Sequence, residues 1–135
     1  MPSALLDTGA LVAIVNRRDR HHLRLTELLK SFEGRFLTTW PIVAEACSFM
    51  PDHLQVRVLD WIAAAAVEVV SIDAGLDFMR KTMDAYRDLP CDFADASLVF
   101  AAKKTGVRDV WTLDRDFLVF RLPDRSRFTL VPADR

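Results

Sequence analysis

Four stretches of this sequence place acidic side chains where their neighbours are mostly apolar. Asp7 interrupts "SALLDTGALVAIVN" (residues 3 to 16), and Glu45 lies within "PIVAEACSFM". Asp92 and Asp95 fall three apart in "PCDFADASLVFAA", and Asp114 and Asp116 follow an apolar run in "TLDRDF". A buried carboxylate without a partner is costly and rare, so Asp7 and Glu45 are the hardest to read as ordinary surface acids. Neither of their stretches contains a lysine, arginine or histidine to act as a counter-ion. Acids that converge repel one another, raise one another's pKa and weaken the fold unless a cation sits among them. Carboxylate oxygens without cysteine or histidine suit a hard divalent ion, Mg²⁺ or Mn²⁺, better than zinc.

Two of the pairs also have a purely local reading. Asp92 and Asp95 have the spacing of a helix N-cap and a third-position carboxylate, both favourable to the helix dipole. Asp114 and Asp116 have the spacing of a side-chain-stabilised turn after a strand.

The elements that must position these acids follow from hydrophobic patterning. "SALL" reads as a short buried strand, with Thr8 and Gly9 at the turn into a helix beginning "GALVAIVN". In "DRHHLRLTELLKSFEG", Leu25, Leu28, Leu29 and Phe32 form one helical face, with Asp19 as N-cap and Gly34 as stop. "RFLTT" is a second strand, and Pro41 opens the helix that carries Glu45. Then come the helix "DHLQVRVLDWIAAAA", the strand "VEVVSI" and the helix "DAGLDFMRKTMDAYRDL", the last with Leu76, Met79, Met83 and Tyr86 on one side. A helix over "PCDFADASLVFAAKKTG" closes at Gly106, and "DVWTL" and "FTLV" are the final strands. Strands alternating with helices predict an α/β fold with a parallel sheet, whose functional crevice lies beyond the carboxyl ends of the strands. On this layout Asp7, Glu45, Asp95 and Asp114 gather at one edge of the sheet.

Length and composition bound the alternatives. At 135 residues, 51% of them hydrophobic, the chain suits one domain over residues 1–135 with no internal linker or repeat. Its apolar runs fall short of the ~20 residues a membrane span needs, and Asp7 interrupts the only stretch resembling a secretory leader. Cys47 and Cys91 lie far apart in no CxxC arrangement, which fits reduced, packed thiols and a cytoplasmic location. A net charge of −1 argues against a nucleic-acid binder, but 14 of the 18 basic residues are arginine, whose planar fork suits phosphate. They cluster in "RRDRHHLR" and along Arg115, Arg121, Arg125 and Arg127, where ordinary solvated surface is an equal reading.

Taken in order, Asp7-Thr8-Gly9 after a short strand, Pro41 followed by Glu45, "DFADASLVFAA" and "TLDRDF" resemble a PIN-domain ribonuclease, and more narrowly a VapC-type toxin of a toxin–antitoxin pair. The resemblance spans essentially the whole chain and implies a PIN-like three-layer α/β/α sandwich with a short central parallel sheet. It implies metal-assisted hydrolysis of RNA, with Asp7, Glu45, Asp95 and Asp114 as catalytic acids holding one or two Mg²⁺ or Mn²⁺ ions. Asp116 is a further or alternative ligand. Thr8, Thr112 and Asp92 would be supporting residues, and Arg17, Arg18 and Arg115 would hold the RNA backbone. The resemblance also implies a homodimer and a cognate antitoxin, for which Leu23 or Phe32 offers apolar contacts unless they face the sheet. The three histidines lie away from the acidic motifs, with His21 and His22 expected on a helix surface.

A catalytically silent PIN-like module that binds RNA or protein is the alternative, and its mark would be a missing acid; none is missing. "LLDTG" loosely matches the aspartate motif of haloacid-dehalogenase-like enzymes, but position 9 is glycine where those need a second aspartate. Neither a GxxxxGK[ST] loop nor GxGxxG is present for nucleotide binding.

Overall fold

A computed structural model describes residues 2–133. In chain order the elements are β1 (Ser3–Leu6), α1 (Thr8–Val15), α2 (His22–Lys30), β2 (Arg35–Thr38), α3 (Trp40–Ser48), α4 (Asp52–Ala63), β3 (Val67–Val69), α5 (Leu76–Ala85), α6 (Phe93–Thr105), β4 (Asp109–Trp111) and β5 (Thr129–Val131). Short 3-10 turns occupy Asp73–Gly75 and Arg115–Leu118. The sheet runs β3-β2-β1-β4-β5, and every adjacent pair is parallel. Parallel neighbours cannot be joined by tight hairpins, so the crossovers carry helices that cover both faces.

Alternation along β1 divides the core. Leu5 faces one layer with Leu37, Val110, Met79, Leu98 and Val99, while Ala4 and Leu6 face the other with Phe36, Val67, Trp111, Leu11, Leu25 and Val58. Strands buried on both faces read as unbroken apolar runs, which is why "SALL" lacks a polar alternation. The result is the expected three-layer α/β/α sandwich. No helix among the described residues is long and apolar enough to cross a membrane. Both thiols are free, Cys91 buried and Cys47 half-buried.

Two features fix the sheet edge that carries the acids. Thr38 Oγ1 donates to the Leu6 carbonyl at 3.0 Å, tying the carboxyl ends of β2 and β1. Thr39 Oγ1 lies 2.6 Å from Ser97 Oγ, and Ser97 Oγ donates in turn to the Ala94 carbonyl at 2.7 Å. Both hydroxyls are fully buried, so Thr39 donates to Ser97 and clamps α3 to α6.

Three local expectations are corrected. Asp19 does not cap α2; its carboxylate accepts from the His21 backbone N–H, in a turn that delays the helix to His22. Gly34 is not a helix stop, since α2 ends at Lys30 with Ser31 as its cap. Gly34 is needed instead because a Cβ there would lie 2.3 Å from the Pro2 carbonyl oxygen. Leu76 is 74% exposed, because the 3-10 turn before α5 makes it the first helical residue and turns it to solvent. Phe78 joins Met79, Met83 and Tyr86 on the face that packs.

Replacing Ser97 with alanine removes the one hydrogen-bond partner the Thr39 hydroxyl has among the described residues and is expected to destabilise the fold by about 1–3 kcal/mol. The double change Thr39→Val with Ser97→Ala leaves neither group orphaned and should recover most of that loss. Urea unfolding of the two variants beside the parent chain checks the difference.

Candidate metal centre

Each acid reaches the sheet edge by a different local device. Asp7 follows β1 directly, and its N–H still donates to the Trp111 carbonyl at 3.0 Å, so the sheet's pairing delivers it to the edge. It occupies the N-cap position of α1 with extended backbone but makes no side-chain cap bond. Its carboxylate is only 4% exposed and accepts from Thr112 Oγ1 at 2.7 Å and from the Thr8 backbone N–H. Thr112 Oγ1 also accepts from the Asp114 backbone N–H at 3.0 Å. One buried hydroxyl thus sets the spacing between two acids on neighbouring strands.

Asp114 Oδ1 accepts from the Asp116 N–H at 2.9 Å and opens the turn Arg115–Leu118. That turn is anchored by Phe117, fully buried and stacked edge-on against Phe120 and Phe128 at 5.0 and 5.5 Å. Asp95 is the third residue of α6, in a reciprocal capping box with Asp92: Asp92 Oδ1 accepts from the Asp95 N–H at 2.8 Å, and Asp95 Oδ2 from the Asp92 N–H at 3.3 Å. The local readings of Asp92, Asp95, Asp114 and Asp116 therefore hold, and they hold together with convergence rather than against it.

Asp7, Asp95 and Asp114 each offer one carboxylate oxygen, and these atoms lie within 4.8 Å of one another. Glu45 stands outside that cluster yet close enough for its charge to act on Asp7. It is half-buried rather than buried, because α3 turns Ile42, Val43 and Ala46 inward and leaves Ala44 and Ser48 exposed on either side of it. Asp116 is half-buried beside the cluster, and burial and the Asp114 charge push its carboxyl upward.

Burial is the main cause that raises the Asp7 carboxyl from 3.8 to about 6, reinforced by the charges of Asp114 and Glu45 and opposed by the Thr112 and Thr8 hydrogen bonds. Asp95 is raised too, by burial first and then by Asp92 and Asp7. The charges named as acting on these two groups all come from other carboxylates. The donor set fits a hard divalent ion: three convergent carboxylate oxygens with no sulfur or imidazole. The Thr8 hydroxyl beside Asp7 is buried without any hydrogen-bond partner among the described residues, a further oxygen left for an occupant.

The basic residues divide. Arg115 is exposed immediately after Asp114. Arg17 and Arg18 lie beyond the far end of α1, roughly 12 Å of helix from Asp7. There they line a cavity of about 900 Å³ with His53, Leu54 and Arg57. No hydrogen bond or ion pair engages the side chains of Arg17, Arg18 or Arg57 among the described residues. Nothing in the local pattern around Arg57 links it to Arg17; only the packing of α4 beside the end of α1 does. His22 is half-buried, with Nδ1 donating to the Ala13 carbonyl at 2.7 Å, and His21 takes the N-cap position of α2, so neither is simple helix surface. Leu23 is 81% exposed, whereas Phe32 faces the sheet and packs on Phe36 and Trp111 with ring centroids at 4.7 and 5.3 Å.

The raised Asp7 carboxyl has a definite sign in stability. Its folded value of about 6 lies above the unfolded 3.8, so the native state holds the proton more tightly. The associated stability is fully present below 3.8 and is lost as pH rises through about 6, amounting to about 3 kcal/mol. In EDTA, Asp7→Asn should raise the melting temperature at about pH 7.5 and change it little near pH 4. Mn²⁺ should stabilise the parent chain at the higher pH and leave the variant nearly unaffected. Differential scanning calorimetry across pH, with and without the ion, reads both effects.

The PIN-domain family model matches residues 4–121, a span that takes in every acid described above. No curated protein matches the chain. Among solved structures the chain is similar to VapC20 of Mycobacterium tuberculosis, a sarcin–ricin loop cleaving toxin, with a TM-score of 0.77 and 19% identity over 84% of this chain and 91% of that one. At that identity the likeness is one of fold, and its TM-score agrees with the sheet order and layers found here. With the family model running from β1 to beyond the Asp114 turn, this chain belongs to the PIN-domain family.

Proposed function

We propose that the chain is a Mg²⁺- or Mn²⁺-dependent endoribonuclease, the toxin of a toxin–antitoxin pair, acting in the cytoplasm as a homodimer held in check by a cognate antitoxin. The observation that carries this reading is the convergence of Asp7, Asp95 and Asp114, which each bring a carboxylate oxygen within 4.8 Å of the others. Family membership and the RNA-cleaving activity named for the similar mycobacterial toxin support RNA as the substrate.

The residues divide the work as follows. Asp7, Asp95 and Asp114 would hold the ion, with Glu45 and Asp116 at the margin of the same cluster. When bound, a divalent ion supplies an activated water and charge stabilisation at the phosphate. Thr112 fixes the Asp7 carboxylate and, through the Asp114 N–H, its distance from the second strand's acid. Asp92 fixes Asp95 through the capping box. Arg115, exposed beside Asp114, is placed to meet a backbone phosphate. The Cys91 thiol near the cluster is pushed up to about 12, first by burial and then by the surrounding acids, so it is not a thiolate nucleophile, and His21 at the N-cap of α2, His22 on α2 and His53 on α4 are not among the converging residues. A catalytically silent module has no feature in its favour, since each expected acid is present.

Purified chain incubated with total RNA should cut it in Mg²⁺ or Mn²⁺ and leave it intact in EDTA. Asp7→Asn and Glu45→Gln should each lower the cleavage rate by at least about 100-fold while circular dichroism shows a retained fold. RNA left whole under every metal condition, with tight binding preserved, would overturn the enzyme reading in favour of a binding module.

A further inference from the structure

Beside the acids lies a slot that the metal chemistry does not use. It is a cavity of about 320 Å³ between the first turns of α3 and α6, lined by Pro41, Ala44, Glu45, Asp92, Phe93 and Ala94. Pro41 and Phe93 supply its rings, and two alanines contribute little bulk. Phe93 is 50% exposed and stacks on no other aromatic ring among the described residues. A large apolar ring at the first position of α6 gains nothing from solvent there. It stands two residues before Asp95, and the buried Thr39–Ser97 hydroxyl pair holds the two helices beneath it.

The chemistry of the slot selects an occupant. Flat apolar faces match a planar heterocycle, and an unstacked RNA base presents both a π-face and its Watson–Crick edge. Asp92 has spent Oδ1 on the Asp95 N–H, whereas no donor reaches its Oδ2 among the described residues. An ionised carboxylate can only accept, so it pairs with the amino groups of adenine, cytosine or guanine. Uracil presents two carbonyl oxygens flanking a single N–H and is disfavoured there. Asp92 on one side of the slot is hydrogen-bonded to Asp95, and the charge of Glu45 on the other acts on Asp7, so a base seated there would belong to a nucleotide near the acid centre.

We infer that the slot between Pro41 and Phe93 seats one unstacked, amino-bearing nucleobase of the RNA, with Asp92 as its acceptor, and thereby selects where the strand is cut. This rests on the ribonuclease reading for its consequence but not for its measurement.

The test uses the whole chain with short single-stranded RNAs of randomised sequence, in Mn²⁺, with the cut ends sequenced. The parent chain should show uracil depleted about tenfold at one fixed position relative to the cut. Phe93→Ala should erase that bias and raise KM about tenfold with kcat nearly unchanged, and Phe93→Trp should restore both. Asp92→Asn keeps a good N-cap, so the helix remains, yet it should re-admit uracil at that position. A parent chain that cuts without base bias, or a Phe93→Ala chain with unaltered bias and KM, would overturn the slot. If the parent chain cuts nothing, binding in EDTA decides: quenching of a 2-aminopurine oligonucleotide by the parent but not by Phe93→Ala sustains the slot while the ribonuclease reading falls. Absence of quenching in both sinks the slot as well.

Discussion

Carboxylates confined within 4.8 Å of one another repel, and the fold around Asp7, Asp95 and Asp114 is built so that they cannot drift apart. Asp7 is pinned by sheet pairing to Trp111 and by the Thr112 hydroxyl. Asp114 is pinned through the same hydroxyl and by the buried Phe117 behind its turn. Asp95 is pinned at the head of α6. Each restraint is a neutral hydrogen bond or an apolar contact, so none cancels charge. These restraints hold the acids together without supplying charge, so a cation would meet a site whose geometry folding has already set.

The parallel sheet makes this arrangement available. Because β1 and β4 are parallel neighbours, their carboxyl ends open at the same edge, and the residues just beyond them, Asp7 and Asp114, become neighbours. The helix leading back from β2 starts at that edge too, and the Thr39–Ser97 clamp sets it against α6. Acids separated by up to 107 positions in sequence meet because topology returns every strand end to one place. The apolar uniformity of these short strands follows from the same cause, since both faces are covered.

That uniformity also governs what could be read in advance. Asp7 was legible because an acid within "SALLDTGALVAIVN" has nowhere polar to go, and the alternation of strands and helices placed it at an edge. Glu45 was legible as a site candidate but not in its depth: "PIVAEACSFM" is apolar or small on nearly every side, so the pattern could not tell which face of α3 packs. The starts of α2 and α5 were misplaced because side chains such as Asp19 can satisfy a preceding turn as readily as a helix end. The approach of Arg57 to Arg17 and Arg18 and the placing of Phe93 and Pro41 around one cavity are products of helix packing, which no local periodicity encodes. Arg17 and Arg18, though basic and clustered, end one helix length away from Asp7, beside Arg57.

The protein does supply some positive potential of its own. Asp7 stands at the N-cap of α1 and Asp95 in the first turn of α6, where unpaired backbone N–H groups and the helix dipole favour negative charge. Such ends contribute roughly 0.3–1 kcal/mol apiece. The Asp7 carboxyl nevertheless remains raised to about 6, a disfavouring of its ionised form by about 3 kcal/mol even with the Thr112 and Thr8 hydrogen bonds counted in. Two helix ends therefore fall short of offsetting the disfavouring of this one carboxylate, to which burial contributes most and Asp114 and Glu45 add their charges. A further helix end or hydroxyl would not close a gap of that size, whereas a single divalent ion carries more positive charge than both helix termini combined. The helix ends orient the acids and moderate their repulsion, and the three carboxylate oxygens they hold together form a donor set that fits a hard divalent ion.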